Sequence, residues 1–127
     1  MKSVILTKYG PPEVLKVKEF DTPEPSSNEV RIKVHYAGIN FAEIMARMKL
    51  YPGGPKPGST LGGEVSGVIE AMGQDVKDLK IGQKVMGLSL NGSYSSHVCM
   101  DSNSIIPLPD NFNLDEAAAF PVIYITA

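Results

Sequence analysis

Hydrophobic and polar positions alternate through much of this chain in runs too short for long helices. The clearest run is Val30-Arg31-Ile32-Lys33-Val34-His35-Tyr36. Its period of two sets Val30, Ile32, Val34 and Tyr36 on one face and Arg31, Lys33 and His35 on the other, which predicts a strand with one buried and one wet side. Val4-Ile5-Leu6 begins another strand that ends at Gly10-Pro11-Pro12, and Val14 to Phe20 follows with rough alternation. Further strands are predicted at Glu64–Ala71, Lys84–Ser89, Tyr94–Met100 and Ile105–Leu108, with Gly73, Gly82 and Gly92 at the turns between them. Strands of this length, with turn residues about every ten positions, point to a small barrel or sandwich.

Helical signals are few. Phe41 to Lys49 suits a short helix in which Glu43 and Arg47 are spaced for an i,i+4 pair. Asn113-Leu114-Asp115-Glu116 reads as a capping box, with Asn113 as cap and Glu116 at the third helical position. Pro121 interrupts before the apolar Val122–Ala127, which looks like the beginning of a further helix. Thr22 to Asn28 is a loop by composition, and Pro52–Gly63, with three prolines and five glycines, must be one too.

Composition narrows the class. The chain has 127 residues, 43% of them hydrophobic, which suits one domain with a real core. The net charge of −2 gives no electrostatic case for nucleic acid or an anionic membrane surface. Cys99 is the one cysteine, which excludes an internal disulfide and fits a reducing compartment. The apolar run at Met1–Lys8 is too short for a secretory signal, and no window approaches the roughly 18 apolar residues of a membrane span. A cytoplasmic protein is the expectation.

Several chemistries find little support. Gly53-Gly54-Pro55-Lys56-Pro57-Gly58-Ser59-Thr60 superficially suggests a phosphate loop. Its Lys56 precedes the last glycine, however, and its prolines remove backbone donors. No Gly-x-Gly-x-x-Gly fingerprint for a dinucleotide occurs. Ser66, Ser95 and Ser96 lack a nucleophile-elbow context. His97 and Cys99 share a strand face and could converge on a metal, but a structural zinc site takes four ligands in tight pairs. A surface or packing pair is the better account of them, and His35 reads as a solvated strand residue. By residue type alone, Asn40 is either a helix cap or a polar cleft residue, Tyr51 a rim aromatic or a hydroxyl donor, and Thr126 an ordinary helix residue or a ligand contact.

The succession Gly38-Ile39-Asn40-Phe41-Ala42-Glu43, Leu50-Tyr51-Pro52 and Leu61-Gly62-Gly63-Glu64-Val65-Ser66-Gly67 resembles the N-terminal catalytic domain of the medium-chain dehydrogenase/reductases. Within that superfamily it is similar to the zinc-independent quinone oxidoreductases, including the vesicle amine transport protein group. Two further segments carry the likeness, which covers essentially the whole chain. Leu79 to Val85 is similar to the family's Gly-Asp-Arg-Val turn, with Gln83 and Lys84 replacing Asp and Arg. Glu116-Ala117-Ala118-Ala119 followed by Pro121 resembles the segment entering a cofactor domain.

The resemblance implies a mainly β fold, a GroES-like partly open barrel with short helices. Residues 1–120 would be the catalytic domain and 121–127 the start of a connection to a cofactor-binding Rossmann domain. It implies hydride transfer from NADPH, bound mainly by that other domain, to a quinone or other conjugated carbonyl, in a homo-oligomeric full-length protein. Tyr51 and Asn40 would line the catalytic cleft, and Asn40 and Thr126 would contact the cofactor. Asn40, Phe41 and Gly63 stand where zinc-dependent relatives carry Cys, His and His ligands, so no metal is expected. Gly63 replaces a bulkier residue common in relatives and would widen the cleft. The 127 residues alone are expected to be inactive. Alternatives of the same architecture are an enoyl-thioester reductase and a non-catalytic lipid- or partner-binding module. A chaperone-like oligomer would need a long mobile loop, and none is evident.

Overall fold

The computed structural model describes residues 1–127. Its strands are β1 (Lys2–Leu6), β2 (Leu15–Glu19), β3 (Glu29–Ala37), β4 (Glu64–Met72), β5 (Lys84–Leu88), β6 (His97–Asp101) and β7 (Ile105–Pro107). The helices are α1 (Phe41–Arg47), α2 (Leu114–Ala118) and α3 (Pro121–Thr126). Five strands form one antiparallel sheet in the order β6-β3-β4-β5-β7, and β1 pairs with β2 in a separate ribbon. The expected mainly β, partly open barrel with short helices is the fold.

The core follows from the alternation. Val30 and Ile32 of β3 join Val65 and Ile69 of β4, Val85 of β5, Met100 of β6 and Ile105 of β7, all buried. Burying side chains of this size stabilises the fold by roughly 1.5–3 kcal/mol each. A second cluster under the long loop packs Leu6, Val14 and Leu61, and a third seats α2 through Ala117 against Met86 and Leu108.

The alternation of β3 breaks at its end. Tyr36, expected inside, is 51% exposed. The register with β4 shifts between Val34 and Tyr36, so an inserted residue turns the side chains beyond it to the other face.

Other local expectations changed as well. The residues Tyr94–Ser96, read as strand, precede β6, and the backbone there pairs with β1 through a Ser3–Ser95 bridge instead. Glu43 and Arg47 make no pair with each other. The Glu43 carboxylate caps the start of α1, and the Arg47 guanidinium donates to the Gly10 carbonyl. Asn113 precedes α2 without a side-chain cap bond. Pro121 stands at the first turn of α3, where its missing N–H costs nothing.

Candidate functional site

The start of α1, the start of β4 and the start of α3 converge on one side chain. Glu64 opens β4 and is 1% exposed. Its Oε1 accepts from Asn40 Nδ2 at 2.9 Å, and its Oε2 accepts from the Val122 backbone N–H at 2.8 Å. Gly38 makes room for it: a Cβ on Gly38 would lie 2.1 Å from Glu64 Oε1. No Lys, Arg or His forms an ion pair with Glu64; the ion pairs lie on Arg31.

Asn40 is the N-cap of α1 as well as a partner of Glu64. Its backbone N–H donates to Glu43 Oε2 at 2.7 Å. An ionised carboxylate only accepts, so Nδ2, not Oδ1, must face Glu64. One Asn40 amide hydrogen is thereby committed, and Oδ1 faces the Glu43 backbone N–H in the capping box of α1, which leaves the second amide hydrogen.

Tyr51 lies beyond α1, 49% exposed, on the wall of a cavity of about 250 Å³. Glu43, Gly54, Leu61, Leu90 and Asn91 contribute to the same wall. A Cβ on Gly63 would sit 3.5 Å from Glu43 Oε1 and from the Ser89 carbonyl, an ordinary contact. A side chain would therefore fit at Gly63, and its absence leaves space beside Glu43. Leu90, on the same wall, is 96% exposed.

Thr126 ends α3 and is exposed. Its four-residue spacing from Val122 puts the two on one side of that helix. Glu64 thus links Asn40 to the helix that carries Thr126, whereas Tyr51 reaches the neighbourhood only through the cavity wall it shares with Glu43. Phe120 and Tyr124 stack at 4.0 Å on α3, and Ile123 and Ile125 are exposed.

Tyr94 is a residue the sequence reading missed. Its ring passes under Gly62, whose added Cβ would meet it at 2.6 Å, and its hydroxyl is buried without a partner. Burial first, then the Glu43 and Glu64 carboxylates, push this phenol well above its usual range. Glu64 was missed as well. The signal available for it was a lone carboxylate at the head of the otherwise uncharged run Val65–Ile69.

The remaining candidates lie elsewhere. His97 Nε2 stands 3.5 Å from Glu70, and Cys99 Sγ faces the Pro23 carbonyl at 3.7 Å. Burial raises the Cys99 thiol, which keeps it from being a ready thiolate. Ser66 is buried and donates to the Leu114 carbonyl of α2. No three His, Cys, Asp or Glu side chains are grouped to hold a metal. At the expected ligand positions, Phe41 and Gly63 offer no donor atom and the Asn40 amide is engaged, so this donor set does not fit a zinc ion. A wider apolar groove of about 550 Å³ runs between the β1–β2 ribbon and the end of β3, and neither Asn40 nor Tyr51 lines it. No helix is long and apolar enough to cross a membrane.

Comparison with known proteins agrees with the fold. Residues 26–110 match the alcohol dehydrogenase GroES-like domain. The chain is 41% identical over 127 residues to the synaptic vesicle membrane protein VAT-1 homolog of Danio rerio, covering 99% of this chain and 26% of that protein. The crystal structure of human synaptic vesicle membrane protein VAT-1 homolog-like protein superposes with a TM-score of 0.95 at 33% identity, over 99% of this chain and 41% of that one. Escherichia coli quinone oxidoreductase complexed with NADPH superposes with a TM-score of 0.88 at 34% identity, over 94% of this chain and 37% of that one. The chain thus spans well under half the length of these relatives.

Proposed function

Because the chain belongs to the alcohol dehydrogenase GroES-like domain family, among the medium-chain dehydrogenase/reductases of the quinone oxidoreductase branch, we propose that it forms the substrate half of a zinc-independent, NADPH-dependent oxidoreductase acting on quinones or other conjugated carbonyls. The observation that carries this reading is the Asn40–Glu64–Val122 junction, which sets a cleft amide beside the helix that leaves the domain. In this reading residues 1–120 are the catalytic domain and 121–127 open the connection to a cofactor-binding domain. NADPH, when bound there, supplies the hydride, and this chain's residues orient the acceptor.

Without a metal Lewis acid, the carbonyl must be polarised by hydrogen-bond donors. The Tyr51 hydroxyl is the more available donor, since it lies half-exposed on the cavity wall. Asn40 contributes its remaining N–H. Thr126 would contact the cofactor from α3. The exposed apolar side chain of Leu90 on that wall suits a flat, uncharged acceptor such as a quinone.

The test is quinone-dependent oxidation of NADPH by the full-length protein. Turnover with a benzoquinone or naphthoquinone acceptor is expected. Absence of turnover with every quinone and enone tried, in a folded protein that binds NADPH, would refute the catalytic reading in favour of a binding module.

A further inference from the structure

We propose that Glu64 is a positioning residue of this cleft: one buried carboxylate aims the Asn40 amide and pins the first turn of α3. The proposal deepens the functional reading above and rests on it for its kinetic part.

Burying a carboxylate without a cation is expensive, and such a group persists only where hydrogen bonds satisfy it. Glu64 has two partners, both neutral N–H donors, on two different elements. The site is built around it, since Gly38 has no room for a Cβ on that side. A leucine of similar volume could fill the space without that electrostatic cost. What a leucine could not supply is direction. The acceptor oxygens dictate which end of the Asn40 amide faces inward, and so which end faces the substrate.

The second contact gives α3 its anchor. This helix has six residues, too few to hold itself in water. Its Val122 N–H, an orphan of the first turn, is satisfied by Glu64, and no backbone acceptor serves the neighbouring Ile123 N–H. Two of the proposed site residues, Asn40 and Thr126, are therefore held relative to each other through one side chain. A shift of Glu64 would disturb substrate and cofactor contacts together.

Amide exchange and kinetics test this jointly. In the wild-type chain the Val122 amide should be protected about tenfold more than the Ile123 amide, and one Asn40 Nδ2 proton should be slowed likewise. Glu64→Gln keeps the volume but leaves one acceptor oxygen for two N–H donors, so either the Val122 protection or the slowing of the Asn40 proton should be lost. In the full-length protein the same substitution should lower kcat with a quinone by about 3- to 30-fold. Combined with Asn40→Ala, the loss should be no greater than that of the poorer single variant, because both act through one amide.

Equal protection of Val122 and Ile123 in the wild type, or losses that multiply in the double variant, would overturn the proposal. Should Glu64→Gln fail to fold, the wild-type comparison decides alone. Should the wild-type full-length protein reduce no quinone, the functional reading falls, and amide exchange still decides the role of Glu64.

Discussion

Glu64 and Glu70 lie on the same strand and, by the period of two, on the same face of it, yet they live in opposite environments. The Glu64 side chain is sealed and touches two neutral N–H groups. The Glu70 side chain is 39% exposed and faces Arg31 at 3.1 Å and His97 at 3.5 Å. Arg31 in turn holds Glu24 at 3.0 Å. Burial along this face fades from Glu64 and Ser66 through Val68 to Glu70. The reason is that α2 and α3 lie over the first residues only, with Ser66 bound to Leu114 and Glu64 bound to Val122. A carboxylate near the open end gathers cations at little cost and contributes little. One near the covered end must be met by fixed donors, and that requirement gives the junction its geometry. Ion pairs therefore mark the solvated side of this sheet, and neutral hydrogen bonds to a charge mark the side where chemistry is expected.

The comparison breaks most sharply at Gly38. Gly38→Ala would force a Cβ to 2.1 Å from Glu64 Oε1 and 2.5 Å from Cγ, so the carboxylate must leave its position. A destabilisation of about 1–3 kcal/mol is expected. Urea denaturation measures it, and a loss below about 0.5 kcal/mol would mean that the junction is loose.

Function should respond next. In the full-length protein, Asn40→Ala and Tyr51→Phe should each reduce quinone turnover about 3- to 30-fold, a discount on what a well-aimed oxyanion donor supplies. Tyr51→Phe should keep a nearly wild-type melting temperature, whereas Asn40→Ala should lower it, because it removes the cap of α1 and one of the two partners of a buried carboxylate. The two differ in reach: Asn40→Ala should also loosen Val122 in amide exchange, and Tyr51→Phe should not. Full activity in both variants would remove the site assignment.

A smaller effect is expected at Thr126. Thr126→Val should raise the Michaelis constant for NADPH by about 2- to 5-fold, as loss of one hydrogen bond of about 0.5–1 kcal/mol implies, and leave that for the quinone unchanged. Initial-rate kinetics with each substrate varied would show it, and a change confined to the quinone would place Thr126 on the wrong side of the cleft.

The outer network should matter least. Glu70→Gln and Glu24→Gln should each cost less than about 1 kcal/mol, and less still at high salt. Thermal denaturation at two ionic strengths is the measurement, and a large, salt-independent loss would erase the contrast with Glu64.

The strands of the main sheet were legible because alternation depends on local sequence alone: Val30 and Ile32 are buried as their period requires. Tyr36 was misread because a bulge is set by the pairing strand, which no run of residues on β3 reveals. The capping box was assigned to Asn113 and Glu116, with Asn40 offered only as a simple cap. The same chemistry is found at Asn40, where Glu43 accepts the cap N–H, and both segments carry an acidic residue three positions after an Asn. Propensity alone could not choose between them. Asn40, Tyr51 and Thr126 were chosen by resemblance, and the structure joins Asn40 to α3 through a residue that was not chosen. Glu64 was illegible because its burial arises where elements distant in sequence meet, and a carboxylate in a strand ordinarily reads as a solvated one.

The edge of β1 sets a timetable for folding. Ser96 N–H donates to the Lys2 carbonyl at 2.8 Å, Val4 N–H donates to the Tyr94 carbonyl at 2.8 Å, and Lys2 N–H donates to Ser96 Oγ at 3.0 Å across 94 positions of sequence. Closing a loop of that length costs about 4 kcal/mol in chain entropy. The second edge of β1 must therefore wait for a segment made 94 positions after it. Folding should be slow for a domain of this size, as contacts this distant in sequence require. During synthesis, β1 can pair with β2 and pack Leu6 on Val14 early, but its other edge stays unpaired until Tyr94–Ser96 has left the ribosome, and an unpaired edge leaves the nascent chain open to aggregation and to chaperones.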